Sequence, residues 1–163
     1  MSTWSKPNVG SAKVNVKGGF HRAHMRSAIG CVMMDCDGDW IRGCKSMIGL
    51  VVPVTAALWS IFYALEMAWE NDEKSVVMEC DCEEAVALIS NIDSTFDMFK
   101  LVCMIRNLMS EEWELYELVH IVSSANIAVT ALSNRAISDD GGLVELSFPP
   151  SYMLPLLVAT KRV

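Results

Sequence analysis

The first third of the chain is divided into short apolar segments by polar turns that contain glycine. Alternating or continuous apolar residues of this length are typical of β-strands, and they predict strands at residues 12–16, 27–35 and 40–46. Asp37 and Gly38 lie between the second and third segments and suit the turn of a hairpin. We therefore expect three antiparallel strands to open the domain.

A longer pattern with a helical period follows at residues 54–70, and Pro53 suits the first turn of that helix. Residues 75–78 then form an apolar strand that ends in acidic residues. The remaining segments are predicted as helices at 81–90, 96–109 and 125–137 and a strand at 113–122. This order predicts an α/β fold: a mixed five-stranded sheet, three antiparallel strands followed by parallel ones, flanked by helices.

The 163 residues suffice for one domain with a buried core, which we assign to residues 1–147. Residues 148–163 form an apolar tail interrupted by prolines. A tail of this composition is expected to cover the sheet or its helices, or else to mark a protein interface. The apolar residues expected at such an interface are Phe148, Tyr152, Leu154 and Leu156.

Charge is distributed unevenly, although the net charge is only −7. All 20 acidic residues lie from Asp35 onward, whereas five of the 13 basic residues precede it. The acidic balance argues against strong non-specific binding to nucleic acid. An acid-free, basic start is typical either of a mitochondrial presequence or of strands of the fold itself. We expect an intracellular protein, cytoplasmic or nuclear, with the mitochondrion as the alternative.

Composition excludes two further classes. Hydrophobic residues make up 52% of the chain, but no apolar run reaches the roughly 18 residues that span a bilayer, so no membrane association is expected. The six cysteines form no CxxC pair and are accompanied by no paired histidines, which argues against zinc. We expect reduced thiols, most of them buried.

Glu79 and Asp81 are the candidate chemical groups of the chain. They come at the carboxyl end of the strand at residues 75–78, where open α/β sheets place their sites. A carboxylate at such a position is a common anchor for a divalent metal ion. The function of this edge therefore depends on whether other carboxylates converge on it.

Six segments of the sequence resemble a known family. The segments WSKP, AKVNVKGGF, AIGCVMMDCDGDWIRG, AALWSIFYALEMAWE, SVVMECDCEEAVALI and LVHIVSSANIAVTALS are similar, in order, to the plant RNase H-like domain of non-LTR retroelement reverse transcriptases and their domesticated relatives. The resemblance extends from Trp4 to Ser138 and implies the RNase H-like fold. It also implies a site in which four carboxylates bind two magnesium ions, which activate water and stabilise the scissile phosphate of an RNA–DNA hybrid.

Three of the four implied carboxylates are replaced in this chain. The matching positions hold Lys17, Ala57 and Thr130, and only Asp81 keeps its acid, with Glu79 just before it. We therefore expect the two-magnesium site to be lost, with no metal or other cofactor and no catalysis. In this fold the first strand pairs with the strand that carries Asp81, so the Lys17 ammonium is expected to pair with the Asp81 carboxylate.

Three functions remain open. The first is an inactive domain kept as a regulatory or protein-binding module, with a protein partner or self-association. The second is a non-cleaving, weak binder of nucleic acid or RNA–DNA hybrid, whose basic contacts would be Lys13, Lys17, Arg22 and Arg26. The third is a ribonuclease H whose metal site has moved to other acids, such as Asp35 or Glu66.

Overall fold

A six-stranded mixed sheet forms the centre of the molecule. The computed structural model describes residues 4–91 and 99–161. The strands follow the order β5-β4-β1-β2-β3-β6 across the sheet. Their bounds are β1 Ala12–His21, β2 Arg26–Met34, β3 Trp40–Gly49, β4 Ser75–Cys80, β5 Leu115–His120 and β6 Val144–Leu146. The helices are α1 Pro53–Glu70, α2 Glu83–Ser90, α3 Phe99–Met109, α4 Ile127–Ala136 and α5 Leu154–Lys161.

The pairing pattern confirms the predicted order of strands. Strands β1, β2 and β3 are antiparallel neighbours, and β1 pairs in parallel with β4, which pairs in parallel with β5. The prediction of five strands was wrong by one, because β6 pairs antiparallel with β3. Strand β6 has only three residues, too few to show an alternating pattern in the sequence.

Helix α1 covers one face of the sheet and packs closely against β1. Pro53 occupies its first turn as predicted, and Leu58, Ile61 and Leu65 are completely buried. Gly18 permits the close approach, because a Cβ atom at this position would overlap the backbone of Ala56. The main apolar core therefore lies between α1 and the sheet, closed at its side by α2 and α3.

Helix α4 covers the opposite face and forms a second, smaller core. Its residues Val129 and Leu132 pack with Val32 and Met34 of β2 and with Met153 of the tail. Met153 has no exposed surface, so part of the tail packs against the domain, as the sequence indicated. The helix predicted at residues 125–137 begins two residues later, at Ile127, because Ser123–Ala125 form a short 3₁₀ turn before it.

Helix α3 is described from Phe99 onward, and residues 96–98 of the predicted helix lie outside the described ranges. None of the helices within the described ranges is long and apolar enough to cross a membrane.

Candidate functional site

Lys17 and Asp81 form an ion pair at the carboxyl end of β4. The parallel register of β1 and β4 places Val16 opposite Cys80. Lys17 and Asp81, the residues that follow them in the chain, therefore lie at the same edge of the sheet. The Lys17 Nζ atom lies 2.8 Å from Asp81 Oδ2. The Asp81 side chain is only 4% exposed and that of Lys17 is 26% exposed. The predicted pairing is therefore present, with an ammonium as the counter-ion of a nearly buried carboxylate.

A second ion pair lies beside the first on the same face of the sheet. The Lys13 ammonium is 3.4 Å from Glu79 Oε2, and it donates a hydrogen bond of 2.6 Å to the Ser5 carbonyl. It also lies 5.3 Å from the centre of the Trp4 ring. Lys13 is buried, and its positive charge is already partnered inside the protein. This part of the expected nucleic-acid contact is corrected, because Lys13 does not face solvent.

Two asparagines connect the second of these pairs, Lys13–Glu79, to the start of helix α4. The Asn15 side-chain amide donates to Glu79 Oε1 at 3.1 Å and to Asn126 Oδ1 at 2.9 Å. Asn126 in turn donates to the Val16 carbonyl at 2.9 Å. Trp4 completes the group by donating from its indole to Asn15 Oδ1 at 2.8 Å. Buried polar side chains require such partners, because an unsatisfied donor or acceptor in the interior is costly.

Sequence reasoning missed this hydrogen-bonded network. Its signal was present in β1, where Lys13, Asn15 and Lys17 alternate with apolar residues that face the α1 core. An alternating strand usually turns its polar side to solvent, so the pattern alone does not reveal that α4 and Trp4 cover that side. The hydrogen bond from Asn126 to the Val16 carbonyl shows that the polar side of β1 is covered and not turned to solvent.

The remaining two positions implied by the resemblance lie in helices α1 and α4. Ala57 is buried in α1, where its neighbour Ala56 packs against Gly18, the residue after Lys17. Thr130 donates from its hydroxyl to the Asn126 carbonyl at 2.8 Å within α4. The four positions implied by the resemblance thus hold a cation, a methyl group, a carboxylate and a hydroxyl.

The thiol beside this site is not a reactive group. Cys80 lies between Glu79 and Asp81 in the chain, but it points into the core on the α1 side and is 1% exposed. Burial raises the pKa of Cys80 to about 12, although the backbone near Cys82 partly opposes the shift. The side chain is therefore a neutral thiol at neutral pH, and a thiol in that form is a poor nucleophile and metal ligand.

A separate cluster of acids occupies the β2–β3 turn. Within the described ranges, the carboxylates of Asp35, Asp37 and Asp39 lie within 4.8 Å of one another. Asp35 Oδ1 accepts the backbone N–H groups of the other two residues at 2.9 Å, which shapes the turn. The turn follows Met34, which is opposite Lys13 in the strand register, whereas Lys17 is opposite Gly30. This cluster therefore lies towards the other end of β1, away from the Lys17–Asp81 ion pair.

The other predicted surface residues are distributed over two regions. Arg22 and Arg26 are exposed at the β1–β2 turn. Phe148 is 83% exposed and Leu154 is 49% exposed, whereas Tyr152 and Leu156 are half-buried. The guanidinium of Arg135 lies over the Tyr152 ring at 4.3 Å, which fixes this ring against α4. The tail thus divides into residues that pack inward and residues that remain in solvent.

Comparison with known proteins agrees with this architecture. The profile of the family described as reverse transcriptase-like matches residues 15–136. An Arabidopsis thaliana protein named "Putative ribonuclease H protein" is 31% identical over 158 residues, which cover 96% of this chain. The aligned region is 25% of that relative, so the chain spans about a quarter of its length.

Solved structures share the fold at much lower identity. RNase H1 from Halobacterium salinarum superposes with a TM-score of 0.71 at 19% identity, over 79% of this chain and 98% of that chain. An RNase H1 isolated from compost, solved in complex with an RNA/DNA hybrid, gives 0.68 at 20% identity, over 78% and 96% of the two chains. At this identity the likeness concerns the fold. With the family profile and the plant relative, it shows that the chain belongs to the reverse transcriptase-like family, as a plant RNase H-like domain.

Proposed function

We propose that this chain is a catalytically inactive RNase H-like domain of retroelement origin that acts through protein contacts. One observation carries the proposal: the Lys17 ammonium lies 2.8 Å from the nearly buried Asp81 carboxylate. The resemblance assigns both positions to metal-binding acids. A lysine supplies a positive charge there, but it offers neither coordination sites for water nor Lewis acidity.

The residues at this edge do not fit a pair of magnesium ions. Two divalent cations about 4 Å apart repel each other strongly unless several anionic oxygens surround them. Ala57 and Thr130 supply no carboxylate, and the carboxylates of Glu79 and Asp81 are already paired with ammonium groups. Without the metal, water activation and stabilisation of the scissile phosphate are both absent, so the proposed domain has no ribonuclease activity.

The charge distribution supports a protein partner over nucleic acid. The net charge is −7, and two of the basic residues expected to contact a phosphate backbone, Lys13 and Lys17, neutralise acids within the fold. Exposed apolar side chains, among them Phe148 and Leu50, offer surface that a protein can bury.

The test is cleavage of a labelled RNA–DNA hybrid in the presence of magnesium or manganese. The unmodified chain is expected to leave the hybrid intact. A variant that restores the acids, Lys17→Asp with Ala57→Glu and Thr130→Asp, is expected to gain metal-dependent cleavage, provided that circular dichroism shows it to be folded. Adding Asp81→Asn to that variant is the matched control and is expected to abolish the gain. Cleavage by the unmodified chain that Asp81→Asn abolishes would overturn the proposal.

A non-cleaving hybrid binder is the second candidate, and two observations favour it. Arg22 and Arg26 are exposed, and a compost RNase H1 of the same fold was solved with an RNA/DNA hybrid. The same labelled hybrid measures this function directly. Tight binding that weakens with salt and disappears in Arg22→Ala with Arg26→Ala would favour the binder over the protein module.

A further inference from the structure

Strand β5 forms an open edge of the sheet. It pairs with β4 on one side, and within the described part of the chain no strand pairs with its other side. The backbone N–H groups of Leu115 and Ile121 donate to backbone carbonyls on the β4 side. Because the direction of these groups alternates along a strand, those of Tyr116, Leu118 and His120 point away from the sheet. The edge therefore offers donors and acceptors to a further strand.

The two faces of β5 differ in what covers them. Tyr116 and Leu118 pack against the main apolar core. Leu115 and Val119 project from the opposite face, where they are 43% and 38% exposed, and Glu117 lies exposed between them. A strand added at this edge would therefore bury apolar surface in addition to pairing the outward backbone groups.

Charge is divided along the same edge. The acidic residues at positions 111, 112, 114 and 117 all precede Leu118, whereas residues 118–126 contain no acidic residue and include His120. A strand that runs antiparallel to β5 and carries the same division would place its acidic half beside the acid-free half of β5. A parallel strand with this division would place the two acidic halves side by side. A second copy of β5 therefore fits the edge in the antiparallel direction, and twofold symmetry makes each favourable contact twice.

We propose that the chain forms a homodimer in which β5 pairs antiparallel with β5 of a second copy, centred on Leu118. The proposal rests on the proposed function, because it names the protein partner as another copy of this chain. In this register Tyr116 is opposite His120 of the second copy, and their outward backbone groups bond to each other. Glu117 is opposite Val119 of the second copy, so no two carboxylates face each other directly. Centring the pair on Glu117 would instead oppose this carboxylate to its own copy, which is unfavourable.

The test is analytical ultracentrifugation of the chain from micromolar to submillimolar concentration, where a species of twice the mass of one chain is expected to appear. Val119→Glu is expected to weaken dimerisation about tenfold or more, because the new carboxylate is opposite Glu117 of the second copy. Val119→Lys places an ammonium there and is expected to retain the dimer. Val144→Glu is the matched control, since Val144 is also 38% exposed but lies in β6 at the opposite edge of the sheet, and it is expected to leave dimerisation unchanged. Circular dichroism checks that all three variants are folded.

Hydrogen exchange followed by NMR locates the interface without any substitution. The outward amides of Tyr116, Leu118 and His120 are expected to exchange more slowly in concentrated than in dilute solution, because each gains a hydrogen bond in the dimer. The amide of Ile121, which already donates to the Cys80 carbonyl, is the internal control and is expected to change less.

Four results would overturn the proposed dimer. They are a chain that stays monomeric at every concentration, a dimer that Val119→Glu leaves intact, equal weakening by Val119→Glu and Val119→Lys, and outward amides that gain no protection. The Val119 variants leave the Lys17–Asp81 ion pair intact, so failure here does not affect the cleavage test. Conversely, cleavage of the hybrid would reject the proposed function without changing the mass of the dimer.

Discussion

Lys17 and Asp81 depend on each other because the carboxylate is almost entirely removed from water. An ionised carboxylate in the interior is unfavourable unless a counter-ion or hydrogen-bond donors compensate it. The Lys17 ammonium provides that compensation at 2.8 Å, while its own side chain retains partial contact with solvent. The chain thus supplies its own positive charge at a position where the resemblance implies metal ions.

We predict that Lys17→Met lowers the free energy of unfolding by about 2 kcal/mol, because it leaves Asp81 buried without its counter-ion. In an Asp81→Asn background the same substitution is expected to cost much less. Urea unfolding of the two single variants and the double variant gives the coupling energy between the side chains, which we expect to be about 1 kcal/mol or more. The pair Lys74–Asp72, at 3.8 Å, is the control and should show coupling near zero, because the Asp72 carboxylate is 94% exposed. Additive effects at Lys17 and Asp81 would contradict the prediction.

At the scale of individual residues, the sequence predicted a single ion pair better than a network of hydrogen bonds. The Lys17–Asp81 pair followed from two residues and one strand pairing that the resemblance implied. The bonds of Asn15 to Glu79 and Asn126 did not, because they depend on how closely α4 approaches β1. Distances of that kind are set by packing between elements far apart in the chain, and no local pattern records them.

Among the elements, α1 and β1 show how a glycine sets the spacing between a helix and a sheet. Gly18 and Gly19 are neighbours in β1, but only Gly18 faces the helix, where a Cβ atom would overlap the Ala56 carbonyl. A Cβ atom at Gly19 would meet no atom within 4 Å. The same substitution, glycine to alanine, at both positions therefore isolates the effect of close helix packing, which is present only at Gly18.

We predict that Gly18→Ala destabilises the fold by about 3 kcal/mol, since α1 or β1 must shift to make room for the methyl group. Gly19→Ala is the matched control and is expected to change the stability by less than about 1 kcal/mol. Thermal unfolding followed by circular dichroism compares the two variants. Equal losses of stability would show that α1 does not approach β1 as closely as the structure indicates.

The predicted elements agree with the structure where their patterns are long. Helix α1 and strands β2 and β3 were placed within a few residues of their observed bounds, because 9 to 18 residues show a period clearly. Strand β1 was predicted only for residues 12–16, but it continues through Gly18 and Gly19 to His21. The three-residue strand β6 was missed, and the start of α4 was placed too early. Short elements form because neighbouring structure provides their partners, so their own residues carry little signal.

At the scale of the whole molecule, the sheet separates the main apolar core from the smaller core that contains α4. The larger lies under α1, and the smaller lies between α4, β2 and the tail. The domain boundary predicted after residue 147 was based on a change of composition. Met153 lies beyond that boundary, but it is packed in the smaller core with Leu132 and Val129. Residues beyond the boundary thus contribute to the stability of the domain itself.

Met153→Ala removes a completely buried side chain from the smaller core and is expected to lower the free energy of unfolding by about 3 kcal/mol, through lost burial and a cavity. Phe148→Ala, at a side chain that is 83% exposed in the same tail, is expected to change it by less than about 0.5 kcal/mol. Urea unfolding with a single transition would show that the tail and the sheet unfold together. If Met153→Ala had no effect, the tail would be a separate segment and the smaller core would not need it.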